Sequence, residues 1–377
     1  MTKRVFILGA GFAGLELATR LSESLADQVA VTLIDRNDAF SFGFSKLDLM
    51  FGRRSLDDLR LPYREISKPA VDFRQETVSS IDPAARRVET DRGSYEADLL
   101  AIAMGADYDI AATPGFAEGG CEYYSVPGAD RMRDVIARFE SGRVLIAILG
   151  QPFKCPPAPF EGALLLHDHF SERGVRDAVE IRVLGPMERP VPITKNVSAA
   201  FLAALGERGI EYGAKQLVVS IDPEHREARL ERGEAVPYDL FIGIPIHRVP
   251  EVVASSGLLD DGWVPVDRSN LRTRFPGVYA LGDIAATPNP KAGVFAESAA
   301  RVVAEDIAVQ LRGGELEHPY EGAGSCYVEF GGGEVGKVEV NVFGGPEPVA
   351  ELLGPSTELR AEKEEFASTR RERWFGG

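Results

Sequence analysis

At 377 residues the chain is too long for one ordinary hydrophobic core and requires two or three domains. Apolar residues at 44% and charged ones at 27% describe a globular protein, while a formal charge of −16 argues against nucleic acid or an anionic membrane surface as an electrostatic partner. No apolar run approaches the ~20 residues of a spanning helix, and three scattered cysteines fit neither an extracellular disulfide framework nor a CxxC-type zinc site.

The first element is the apolar strand Val5-Phe6-Ile7-Leu8, which runs directly into Gly9-Ala-Gly11-Phe-Ala-Gly14 and then into a helical pattern through Leu21. This is the phosphate-binding corner of a dinucleotide fold. Gly9 permits the tight turn, Gly11 leaves room for a pyrophosphate against bare backbone, and Gly14 lets helix and strand pack closely, while the helix N-terminus attracts phosphate charge. A second strand, Ala30-Val-Thr-Leu-Ile34, ends in Asp35, 21 residues after Gly14, where an acid can grip a ribose hydroxyl. Lys3-Arg4 before an apolar run imitates a secretion signal, but glycines, Glu16 and Arg20 interrupt it, so we read strand and helix.

The aromatic stretch Phe40 to Lys46 follows, then a hairpin formed by Thr77-Val-Ser-Ser-Ile-Asp82-Pro83 and Arg87-Val-Glu-Thr. Asp98 leads into the strand Leu99-Leu-Ala-Ile-Ala103, which stops at Met104-Gly105, where bare backbone can approach a ligand. The same order then recurs. Gly150, closing an apolar strand, lies 141 residues after Gly9; Asp222 of a second Ser-Ile-Asp-Pro lies 140 after Asp82; Asp239 lies 141 after Asp98. Three matches at nearly one spacing indicate two copies of a dinucleotide-binding unit.

The second copy has lost its phosphate corner. At the shared offset Gly11 becomes Pro152 and Gly14 becomes Cys155, within Gly150-Gln-Pro-Phe-Lys-Cys-Pro-Pro. Prolines donate no N–H and Phe153 takes up the space a pyrophosphate needs. The partner strand ends in Gly185-Pro186 with no acid for a ribose, so no nicotinamide cofactor is expected there. The chain then returns to the first unit through Val278-Tyr-Ala-Leu281, Gly282-Asp283, Lys291-Ala-Gly293 and an alanine-rich helix. Asp283 suits either a polyol hydroxyl or a helix cap. From Pro319 a hairpin layer carrying Cys326 covers a site, and the tail Lys363 to Trp374, charged in both signs, reads as a solvated helix. Taken singly, Cys121, Cys155 and Cys326 read as inert buried thiols.

Together these residues resemble the sulfide:quinone oxidoreductase and flavocytochrome c sulfide dehydrogenase flavoprotein branch of the pyridine nucleotide-disulfide reductase superfamily. The carriers are Gly9 to Gly14, Asp35-Arg36, Ala103-Met-Gly105, Cys155-Pro-Pro, Gly282-Asp283, Lys291-Ala-Gly293 and Cys326 before Glu329-Phe-Gly. The resemblance implies an α/β fold with two Rossmann-like domains. A discontinuous FAD domain spans 1–110 and 245–318, a degenerate NAD-type domain 111–244, and a small α+β segment 319–377 covers the flavin.

It further implies FAD with its pyrophosphate at Gly9, Gly11, Phe12, Ala13 and Gly14, its adenosine ribose on Asp35 beside Arg36, and contacts from Lys46, Val78, Ala103 and Gly105. Gly282 and Asp283 lie along the ribityl chain and Lys291 beside the ring. Cys155 and Cys326 form the redox pair, with Glu161 as proton carrier and Cys121 as an accessory thiol. A helix beginning just after Cys155 is expected to lower its pKa. The implied reaction is two-electron oxidation of sulfide to sulfane sulfur or polysulfide, with electrons passing to a quinone.

Three alternatives stand beside it: an NAD(P)H:acceptor flavoprotein, a flavoprotein donating to a cytochrome c, and a flavin redox sensor without turnover. A cytoplasmic location, peripheral contact with the inner membrane face and a homodimer are compatible with this reading.

Overall fold

The computed structural model describes residues 2–376. Lys3–Leu8 pairs in parallel with Val29–Asp35 on one side and Leu99–Ile102 on the other, and Val71–Gln75 and Val278–Ala280 complete a five-stranded parallel sheet. Its central strands read as unbroken apolar runs because both faces are covered. Val5 and Ile7 pack under the helices Phe12–Leu25 and Gly293–Arg312. Phe6 and Leu8 pack under a three-stranded meander, Val78–Asp82, Arg87–Thr90 and Ser94–Glu96.

The second unit repeats the plan. Gly142–Ile148 lies between Val179–Gly185 and Leu240–Ile244, with Glu211–Ala214 at the edge, and a second meander runs Val218–Asp222, Glu227–Leu230, Ala235–Pro237. The duplication read from spacing extends to an irregularity. In the first meander the pairing steps from Val78↔Thr90 to Ser80↔Glu89, and in the second from Val218↔Leu230 to Ser220↔Arg229, the same bulge in both. Asp107–Asp109 pairs antiparallel with Ile246–Arg248, so the chain leaves and re-enters the first unit side by side.

An antiparallel sheet of Ala323–Gly331, Glu334–Asn341 and Val349–Ser356 follows, then the helix Leu359–Phe375. That helix corrects one expectation. Trp374 is fully buried, packed edge-on to Phe12 and Phe40 at 5.5 and 5.6 Å, and its indole N–H donates to Glu16 at 2.8 Å. Buried Glu16 also receives Arg373 at 2.9 Å and Arg20 at 2.6 Å, and Arg370 reaches buried Glu297 at 3.1 Å. The arginines thus find carboxylates of the first unit's helices in place of water. No helix among the described residues is long and apolar enough to cross a membrane.

Candidate functional site

The glycine corner separates into packing and ligand-facing positions. Gly9 adopts φ +98°, and a Cβ there would meet the Ala103 carbonyl oxygen at 2.5 Å; a Cβ on Gly14 would lie 1.9 Å from the Gly9 oxygen. Gly11 differs. Its Cβ would meet no atom within 4 Å, because this face of the turn opens onto a cavity. The helix that begins at Phe12 has no side-chain cap and no acid in its first turn. Its leading N–H groups and positive end are left for an anion.

Two cavities flank this turn. One, of about 430 Å³, is bounded by Gly9, Asp35, Arg36 and Val78. Asp35 accepts from the Ala10 and Asn37 amides, both at 2.8 Å, which fixes its carboxylate at the end of its strand. The other, of about 300 Å³, runs from Gly11, Phe12 and Ala13 past Ala103, Gly105 and Lys46 to Gly282, Asp283 and Lys291. Its wall also includes Cys155, Cys326 and Glu161.

Cys155 reaches that wall because the second glycine corner has been rebuilt. Phe153 is buried in the second unit's core, while Lys154 crosses to the first unit and donates to the Ala106 carbonyl at 2.7 Å. The Cys155 amide donates to the Lys291 carbonyl at 2.8 Å. These ties hold Cys155 at φ +50°, a left-handed conformation that costs a non-glycine residue about 1 kcal/mol. Cys326 comes from the middle of Ala323–Gly331, opposite Val338. Both are free thiols.

Electrostatics reverse the expected sign at Cys155. The helix Ala158–Glu172 begins three residues on, yet the thiol is pushed well above its ordinary value. Although exposed to the cavity, Cys155 is set deep among protein atoms; that burial dominates, the Glu161 carboxylate and Cys326 add to it, and the Ala158 amide and Lys46 oppose it only in part. Cys326 is pushed up to about 12 by burial and then by Glu161. Thiolate formation here therefore depends on a proton acceptor. Glu161 is 4% exposed, its Oε1 accepts from the Glu329 amide at 2.8 Å, and burial pushes it up to about 7. A carboxyl poised near neutrality beside two thiols can take and return their protons.

At the other end, the Lys291 ammonium lies 3.4 Å from the centre of the Trp263 ring and donates to the Asp283 carbonyl at 2.5 Å. Burial pulls it down to about 8. Burial raises Asp283, against the pull of Lys154, Lys291 and Lys46.

Cys121 stands apart. Its backbone bridges to Leu240–Ile244 and its side chain packs against the second unit's core, outside the cavity wall that holds Cys155 and Cys326. The cavity also includes residues that sequence reasoning passed over: Tyr123 and Tyr124, Lys154, and Lys363 and Phe366 of the last helix. Phe44 of the aromatic stretch was the one visible signal, since it stacks on Phe42 and carries Lys363 over its ring.

A family model described as pyridine nucleotide-disulphide oxidoreductase matches residues 3–156 and 157–302. A sulfide-quinone reductase of Aquifex aeolicus is 26% identical over 88% of this chain and 82% of its own length. A type II NADH:quinone oxidoreductase of Staphylococcus saprophyticus is 31% identical, over 37% of each chain. The crystal structure of the Aquifex aeolicus sulfide:quinone oxidoreductase superposes with a TM-score of 0.88 at 23% identity, covering 100% of this chain and 93% of that one.

Proposed function

We propose that this chain, which belongs to the pyridine nucleotide-disulphide oxidoreductase family, is an FAD-dependent oxidoreductase that takes electrons from sulfide and delivers them to a quinone. The observation that carries the reading is the meeting of Cys155 and Cys326 on one cavity with Gly11, Asp283 and Lys291. The likeness to a sulfide-quinone reductase over 88% of the chain supports it.

The residues fit FAD. Gly11 offers bare backbone and an uncapped helix N-terminus to a pyrophosphate, and Asp35 lies in the adjoining cavity where the adenosine end belongs. Asp283 would hold the ribityl hydroxyls and Lys291 would lie beside the ring. Bound FAD supplies the two-electron acceptor from which a quinone is reduced.

The protein's own part is sulfur and proton chemistry. In its oxidised form the Cys155–Cys326 pair presents a sulfur that hydrosulfide attacks, leaving a persulfide on one cysteine and a thiolate on the other. Glu161, deprotonated above about pH 7, accepts the proton that hydrosulfide gives up and returns it to a thiolate.

The rival is direct reduction by NADH, which the shorter match to a type II NADH:quinone oxidoreductase keeps in view. Against it stands the rebuilt second corner, with Phe153 in the core and Lys154 and Cys155 tied to the first unit. Anaerobic titration of the flavin-loaded protein decides. Sulfide bleaches the flavin and a quinone analogue restores it; rapid bleaching by NADH and none by sulfide would refute the proposal.

A further inference from the structure

Glu161 is held by a device that lies outside the cysteine pair. Three distant stretches converge at Glu329: Arg53, after the helix Ser45–Met50; Glu329 itself, three residues beyond Cys326 on the same strand; and Lys363, on the C-terminal helix. The Glu329 carboxylate is 3% exposed and is bridged by Arg53 at 2.7 Å and Lys363 at 2.5 Å. Its backbone amide donates to Glu161. A buried carboxylate so paired keeps its charge, and Lys363 held to it is a charge held at a fixed place near Glu161.

From these contacts we propose that Glu329 and Lys363 are positioning residues for Glu161: the Glu329 amide fixes its orientation, and the Glu329–Lys363 pair sets the charge that decides when it holds a proton. This rests on the reading of Glu161 as proton carrier and adds what controls it. Lys363 belongs to the helix fastened through Arg370, Arg373 and Trp374 to Glu297 and Glu16. Displacing that helix would therefore take the Lys363 charge away from Glu161.

The groups that act on or respond to Glu161 are Cys155 and Cys326, the Tyr123 and Tyr124 phenols, Glu329, and Lys363, which also lines the cavity. Asp48 stands further back, 3.7 Å from Arg53. Among these, Lys363 favours the ionised form of Glu161 and the Glu329 carboxylate disfavours it. The two members of one ion pair thus push Glu161 in opposite directions.

That opposition supplies the test. The carbonyl stretch of protonated Glu161 is followed by infrared difference spectroscopy across pH, assigned by its loss in Glu161→Gln. In Lys363→Met the titration midpoint moves up by about one pH unit, in Glu329→Gln it moves down by a similar amount, and Lys363→Arg returns it toward wild type. Midpoints that stay within about 0.3 pH units of wild type, or that move in the same direction in both variants, overturn the proposal, because simple loosening gives no opposed signs. Should Glu329→Gln fail to fold, Lys363→Met against Lys363→Arg decides. The measurement needs no sulfide: opposed shifts in a protein whose flavin sulfide cannot reduce would leave the positioning role standing and remove the proposed function.

Discussion

Replacing Trp374 by alanine probes how firmly the end of the chain closes the first unit. The indole is fully buried against Phe12 and Phe40, and truncation of a buried tryptophan costs about 3–5 kcal/mol. Its N–H bond to Glu16 adds about 1 kcal/mol and no more, since Arg20 and Arg373 still partner that carboxylate. We therefore expect a loss near 5 kcal/mol for Trp374→Ala and about 1–2 kcal/mol for Trp374→Phe, which keeps a ring and loses the donor. The chain has two tryptophans, and the other, Trp263, packs on the first unit's core. Its fluorescence reports that unit's thermal transition in the variant, which should fall by roughly 10 °C or more. Because Phe12 also lines the cavity, flavin should dissociate at lower temperature in step. A Trp374→Ala protein melting within 2 °C of wild type, or a phenylalanine variant as damaged as the alanine one, would refute this account of the helix end.

Cys155→Ser and Cys326→Ser should each abolish bleaching of the flavin by sulfide while leaving the bound flavin's spectrum in place; normal turnover by either would remove the two-thiol mechanism. Gly11→Ala should fold normally and fail to retain flavin, whereas Gly14→Ala should fold poorly, as the contacts a Cβ would make differ so sharply; thermal melts and flavin content read both. Glu161 gives stability a signed pH dependence. Its folded value, about 7, exceeds the ordinary 4.5, so between those pH values only the folded state keeps the proton and stability falls as pH rises, by roughly 3 kcal/mol in total. Urea midpoints of wild type minus those of Glu161→Gln, taken from pH 4 to 8, should trace that fall; a difference that is flat or rises with pH would contradict it.

Periodicity and glycine spacing made much of the architecture legible, because strand, turn and helix signals are local. Four strands of the first sheet, the first hairpin, the repeat spacing and the ruined second corner were visible in short windows of sequence, whereas the edge strand Val71–Gln75 was not. What local pattern cannot report is which charges meet. The tail from Lys363 to Trp374 reads as solvated because its arginines alternate with glutamates, and their real partners, Glu16 and Glu297, lie 357 and 73 residues away in the chain. The sign of the Cys155 shift was missed for a related reason. A helix start is visible in sequence, but the weight of surrounding atoms and the nearness of Glu161 exist only once Ala158–Glu172 folds back against the cavity. Tyr123 and Tyr124 carried no signal at all, since two adjacent tyrosines in an unpatterned stretch suit any core.

The loop that brings Cys155 across also stitches the halves of the molecule together, through Lys154 to Ala106 and Cys155 to Lys291. Opening along that seam would break both bonds and carry Cys155 away from Lys291. The place of Cys155 in the cavity wall is thus tied to how closely the two units stay docked.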